Sequence, residues 1–161
     1  MGRGSGYRRV RPRAVGDVGV DPHRVWSGAH GSATLRQMDE RIDIVRGFCA
    51  AWTGASAPEL AEWFTDDGVY HNIPLAPVVG RSAVEEELAR FLAIMSIDIR
   101  VLHAAANDTV VMTERVDDFV VNGRRLELPV MGACELRGDK IAVWRDYYDS
   151  AQLRAFLTEA A

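Results

Sequence analysis

The run TVVMTERVDDFVVNGRRLELPVMGACELRGDKIAVWRDYYDS, residues 109–150, decides the fold. It is rich in β-branched and aromatic residues, and two turn signals cut it into three pieces. Asn122-Gly123 is the strongest short hairpin signal in the chain, because both residues reach the positive φ that a two-residue turn demands. Gly138-Asp139 supplies the second turn. Strands are therefore expected over residues 109–121, 126–136 and 140–148, each antiparallel to the next. Just upstream, Ile97, Ile99 and Val101 alternate with Asp98, Arg100 and Leu102, which adds a strand ahead of a turn at Asn107-Asp108.

Before this run the period is that of helices. Thr34 and Gln37 have the spacing of a capping box. Ile42, Val45, Phe48, Cys49 and Trp52 then recur at three- and four-residue intervals, so an amphipathic helix is expected through about Thr53. Ser56 with Glu59 repeats the box. Leu60, Trp63 and Phe64 give that second helix its apolar face, with Gly68 as its stop. Residues 69–72 read as a short strand, and the proline-bearing residues 73–80 as a loop. Ser82 with Glu85 predicts the cap of a third helix that buries Val84, Leu88, Phe91, Leu92 and Met95. Glu85, Glu86 and Glu87 then occupy its first turn, where the dipole favours acids. Asp149 or Ser150 caps a last helix with Leu153, Phe156 and Leu157 inward. The expected order is α-α-β-α-β-β-β-β-α. Hairpins joined in sequence predict an antiparallel sheet with the helices on one face, an α+β architecture.

Composition fits one globular domain: 161 residues, 48% hydrophobic and 26% charged. The longest nearly apolar stretch, residues 73–79, includes two prolines and falls far short of the about 20 residues a membrane span needs. No apolar run follows the basic N-terminus, so no secretory signal is expected. Charge divides unevenly. Residues 1–37 carry seven arginines and two acids, and residues 38–161 carry 12 basic and 21 acidic residues, for a net charge of −4. The acidic body lacks the clustered cations that neutralise phosphates, so no nucleic-acid partner is expected. Residues 1–33 hold seven of the 14 glycines and no hydrophobic period. They are expected to form a disordered extension, with the domain over residues 34–161. Only two cysteines, Cys49 and Cys134, are present. That excludes a disulfide scaffold and a Cys-rich zinc site, and it fits a reducing cytoplasm.

Charge stands where a strand should face inward. Alternation puts Val111, Thr113, Arg115, Asp117 and Phe119 on one face, with Glu114, Val116 and Asp118 on the other. On the last strand Ala142, Trp144, Asp146 and Tyr148 share a face, and Ile141, Val143, Arg145 and Tyr147 take the opposite one. Tyr70 and Asn72 sit two apart, hence side by side. One concave pocket could then hold Arg115, Asp117, Asp146, Tyr70 and Asn72 amid Phe119, Leu128, Val130 and Trp144. A surface ion pair at Arg115 is the plainer alternative, but Val111 and Phe119 flank the charges on the same face. His71 points away from its neighbours by the same alternation, and no metal-ligand spacing is present.

Four motifs carry a resemblance. Tyr70-His71-Asn72-Ile73-Pro74, Met95-Ser96-Ile97-Asp98, Thr113-Glu114-Arg115-Val116-Asp117 and Trp144-Arg145-Asp146-Tyr147-Tyr148-Asp149 occur in this order. Together they resemble the limonene-1,2-epoxide hydrolases over about residues 38–157. The resemblance implies an NTF2-like (SnoaL-like, cystatin-like) α+β cone, a curved mixed or antiparallel sheet wrapped over helices, usually a homodimer, and a cofactor-independent hydrolase. It implies Asp146 as general base, Tyr70 and Asn72 as the residues holding the attacking water, and Arg115 and Asp117 completing the catalytic set. It also puts Cys49, Trp52, Phe91, Met95, Tyr148 and Leu153 with Phe119, Leu128, Val130 and Trp144 around the substrate. Cys49 and Trp52 stand where the family is usually aliphatic or Met, and Tyr148 where Phe is common. The implied substrates are water and a small lipophilic epoxide, with a vicinal diol as product. A polyketide or polyether cyclase that opens an epoxide with an internal hydroxyl, and a non-catalytic carrier of an apolar ligand, are the other readings.

The chemistry needs such a set. An alkoxide is a poor leaving group, so water must lose a proton while the oxirane oxygen gains one. One carboxylate must be ionised and another protonated at the same pH, which two close carboxylates in a low-dielectric cavity achieve. An arginine between them fixes both with its planar fork. For the assembly, Val116, Ile141 and Val143 are expected to form an apolar outer face for a partner copy.

Overall fold

The computed structural model describes residues 34–160, so the extension expected over residues 1–33 lies outside the described residues. The elements are α1 (Leu35–Ala51), α2 (Ala57–Ala61), β1 (Phe64–Ile73), β2 (Val78–Val79) and α3 (Arg81–Ile94). They continue as β3 (Ser96–Ala106), β4 (Val110–Val121), β5 (Arg124–Arg137), β6 (Lys140–Tyr148) and α4 (Ser150–Ala160). Two of the three expected capping boxes are present. The Thr34 N–H donates to Gln37 Oε1 at 2.8 Å, and Gln37 N–H returns to Thr34 Oγ1 at 3.3 Å. Ser56 N–H donates to Glu59 Oε2 at 2.8 Å.

The third helix starts differently. Gly80, with φ 93°, is its N-cap, so Ser82 and Glu85 do not cap it and the three glutamates lie beyond its first turn. The second helix is also shorter than its apolar spacing suggested. It ends at Ala61, and Phe64 opens β1 opposite Ile141. Gly68 is a bulge inside that strand, not a helix stop. A Cβ there would meet the Thr65 carbonyl oxygen at 2.9 Å, a position only glycine fills without strain. Residues 78–79 of the expected loop pair with Val69 and Tyr70.

Six strands form one curved sheet in the order β2-β1-β6-β5-β4-β3. Hairpins join β3 through β6 as expected, and Asn122 at φ 48° with Gly123 at φ 79° makes the tight β4–β5 turn. The sheet is mixed, because β1 runs parallel to β6. Such a pair needs a long crossover, and here α3 and the three hairpins supply it. Bulges in β1, in β3 between Val101 and His103, and between β5 and β6 bend the sheet around the helices.

The bulge between β5 and β6 overturns one expectation. Glu135 pairs with Val143 and Leu136 with Ile141, so Ala142 is the extra residue and the alternation slips by one. Ile141 is fully buried in the core and contributes nothing to the outer face. Val45, Phe48, Cys49 and Trp52 of α1 and its end bury against the sheet's concave side. Phe48 meets Trp144 edge-on at 4.9 Å and Phe64 at 5.6 Å. Rings so arranged gain about 0.5–1.5 kcal/mol each beyond their burial. At the other end, Asp149 Oδ1 accepts from the Ala151 and Gln152 N–H groups to cap α4. Asn122 Nδ2 and Arg124 bond its last carbonyls, at Ala160 and Glu159, which ties α4 to the β4–β5 turn.

Candidate active site

The period of two in β4 holds throughout. Val111, Thr113, Arg115, Asp117, Phe119 and Val121 are all buried, and Arg115 is only 1% exposed. Register then assembles the charged groups. Thr113 of β4 pairs with Gly132 of β5, and Gly132 pairs with Asp146 of β6. On the far side of β6, Asn72 pairs with Asp146 and Tyr70 with Trp144. Arg115, one pair further along β4, crosses Gly132 diagonally to reach β6. Its Nη2 meets Asp146 Oδ2 at 2.6 Å. Its Nε donates to Asp117 Oδ1 at 2.8 Å, and Nη2 donates to Asp117 Oδ2 at 3.2 Å.

The five residues expected to carry the chemistry, Arg115, Asp117, Asp146, Tyr70 and Asn72, thus line one cavity of about 190 Å³. Of the expected pocket residues, Trp52, Phe91, Met95 and Phe119 line it. So do Leu128, Val130, Trp144, Tyr148 and Leu153. Cys49 does not. It is packed into the core beside the site, where burial pushes its thiol up to about 12 against the pull of Arg115. Among the described residues, no three His, Cys, Asp or Glu side chains converge as a metal site.

Burial and neighbouring charges both shift the ionisable groups of the site. It raises the pKa of Asp117 above its ordinary value, outweighing the guanidinium beside it, and Asp146 adds to the rise. Burial alone would lower the pKa of Arg115, but Asp146 and Asp117 outweigh it and hold the guanidinium charged. Burial and then Asp146 raise the pKa of Tyr70, against the Asn72 side chain, which lowers it, and so keep the phenol neutral. A buried carboxylate pair bridged by one cation is costly to assemble and more costly to break, since losing one partner strands the others.

Three contributors went unread in the sequence. Trp144, read as apolar wall, donates its indole N–H to Asp146 Oδ2 at 2.8 Å and lies 5.0 Å from the Arg115 guanidinium. Gly132 has no side chain where a Cβ would meet Thr113 Oγ1 at 2.5 Å and Arg115 Nη1 closer still. A glycine inside a strand is the available signal for such a close approach. α4 closes the cavity with Ser150, Leu153, Arg154 and Leu157, of which only Leu153 was anticipated as wall.

The model of the limonene-1,2-epoxide hydrolase catalytic domain matches residues 31–157. The chain belongs to this family. Epoxide hydrolase EphG of Mycobacterium tuberculosis (strain ATCC 25618 / H37Rv) is 29% identical over 84 residues, 52% of this chain. The match spans 56% of EphG, little more than half of its length. An LEH-like epoxide hydrolase structure from M. tuberculosis superposes with TM-score 0.68 at 24% identity, covering 77% of this chain and 93% of that one. A SnoaL-like structure from Jannaschia sp. CCS1 gives 0.66 at 13% identity, covering 81% and 97%. The fold is the NTF2-like, SnoaL-like α+β fold.

Proposed function

We propose that this chain is an epoxide hydrolase that adds water to a small lipophilic epoxide in one step, giving a vicinal diol without a cofactor. The observation that carries the reading is Arg115 bridging Asp117 and Asp146 at the floor of an otherwise largely apolar cavity. A carrier of an apolar ligand has no use for three buried ionisable side chains, each of which costs several kcal/mol to desolvate when charged. Asp146 is the base. One of its oxygens is fixed by Arg115 and Trp144, and Asn72 stands beside it in register. The water is held by Asp146, the Tyr70 hydroxyl and the Asn72 side chain, a positioning effect that lowers the entropic part of the barrier.

Asp117 is the acid, since burial keeps it protonated to higher pH than an exposed carboxyl. Of its two oxygens, Oδ2 has the longer contact to Arg115, 3.2 Å, and is the freer to carry the proton. The water oxygen forms a bond to one oxirane carbon as that carbon–oxygen bond breaks. Asp146 takes the water proton, and Asp117 gives its proton to the departing oxygen. One water is consumed, and the proton on Asp146 returns to Asp117 before the next turnover. Acid and base assistance contribute about 10²–10⁴-fold each. We place the chain in a reducing compartment, as its two cysteines are free thiols, and as a homodimer through the outer face of the sheet.

The test is a single turnover in oxygen-18 water with limonene oxide or cyclohexene oxide. The first diol should carry the label, and none should enter the protein. Label appearing first in Asp146 or Asp117 would replace direct attack with an ester route. An unlabelled cyclic ether from a hydroxy-epoxide would assign the chain to the cyclases. Asp146→Asn should retain the fold and lose turnover.

A further inference from the structure

α4 presents Ser150, Leu153, Arg154 and Leu157 to the cavity, the three- and four-residue spacing of one helix face. Two leucines are the expected wall of an apolar cavity. Arg154 is not. Its Nη1 donates to Ser150 Oγ at 3.2 Å, and no described carboxylate pairs with it. In contrast, Arg81 holds Asp66, Arg124 holds Glu159, Arg125 holds Asp118 and Arg137 holds Asp67. Arg154 is solvent-exposed, and Arg46 is likewise exposed with no described carboxylate on it, so what sets Arg154 apart is its place on the wall of the cavity, where it is available for a ligand.

We propose that Arg154 anchors an anionic group of the substrate, so that the epoxide taken by this site carries a carboxylate at the end opposite the oxirane. The proposal rests on the hydrolase reading and narrows its substrate class. A guanidinium suits a carboxylate because its planar donors match both oxygens. The charges also impose one orientation. With Asp117 protonated, Asp146 and Arg115 balance each other at the floor, so Arg154 is the cation left to draw an anionic end while the floor takes the neutral oxirane. Tyr148 lines the same cavity, and its half-buried phenol has its pKa raised by burial and then by Asp146, and lowered by Arg154. Size limits the body between the ends. A cavity of about 150 Å³ holds one benzene ring, so about 190 Å³ holds one ring with a short arm. The class is a monocyclic or short-chain epoxy-carboxylate.

The experiment compares three probes: 3,4-epoxycyclohexane-1-carboxylate, its methyl ester and cyclohexene oxide. At low salt kcat/KM for the carboxylate should exceed that for the ester about tenfold, the order expected of a charge-assisted hydrogen bond. In ~1 M sodium chloride, where the Debye length is about 3 Å, the ratio should shrink. Arg154→Ala should bring the ratio to about one, through KM rather than kcat, and Arg154→Lys should keep part of the preference. A ratio of one in the unaltered protein, or one that Arg154→Ala leaves unchanged, overturns the proposal. If cyclohexene oxide is opened but the ratio is flat, the hydrolase reading stands and the anion anchor falls. If no probe is opened yet the carboxylate quenches tryptophan fluorescence in the unaltered protein and not in Arg154→Ala, the anchor stands and the hydrolase reading falls.

Discussion

Gly132→Ala tests whether the floor of the site depends on an absent side chain. The added methyl would lie 2.5 Å from Thr113 Oγ1, closer still to Arg115 Nη1 and 3.4 Å from Asp146 Oδ1. Ordinary contact begins near 3.5 Å, so the guanidinium must withdraw by about 1 Å. It cannot do so and keep its 2.6 Å contact to Asp146 together with its 2.8 Å bond to Asp117. A misplacement of about 1 Å in a catalytic constellation costs about 10²-fold in rate. Overpacking costs about 1–3 kcal/mol of stability, which a domain of this size registers as roughly 4–12 °C in Tm. The assay is kcat/KM on cyclohexene oxide beside thermal unfolding, with Thr113→Ala and the double variant completing a cycle. Removing Thr113 Oγ1 opens room on one side of the new methyl, so the double variant should recover part of the loss that Gly132→Ala alone causes. Full activity and an unchanged Tm in Gly132→Ala would show that Arg115 is not seated over this glycine.

The remaining expectations concern the acid, the indole and the outer face. Because the folded pKa of Asp117 is raised, its protonated form persists above 3.8, and kcat should fall on the alkaline side as pH rises through the elevated value. The same shift favours the folded state most below the ordinary value and loses that contribution as pH rises through the folded one, so Asp117→Asn should flatten Tm over that window. Trp144→Phe keeps a ring against Phe48 but removes the 2.8 Å bond to Asp146; turnover should drop about 10–100-fold with a native circular dichroism spectrum, and unchanged turnover would sink that role. Met131 pairs with Tyr147 on the outer face, and both are exposed. Light scattering should give about twice 17.8 kDa, and charging both positions to Asp should halve it; a monomer at micromolar concentration would refute the assembly.

What was legible in the sequence is what short-range periodicity encodes. The Thr34 and Ser56 caps, the Asn122-Gly123 turn and the inward face of β4 each depend on residues within a few positions of one another. What was hidden depends on phase between distant segments. Counting back by twos from Asp146 turns Ile141 outward, yet the extra residue Ala142 against β5 reverses it, and nothing in residues 140–148 announces that slip. Phe64 keeps helical spacing with Leu60, and the same spacing serves a residue that opens a strand beside Ile141. The parallel β1–β6 pair is equally nonlocal, though it alone puts Asn72 beside Asp146. Gly132 shows the limit most sharply. It offers no side chain to count, so its part emerges only when β4 and β6 flank it and Arg115 crosses it to meet Asp146. The charged residues could therefore be named from alternation and family resemblance, while the space that lets them meet is a property of register.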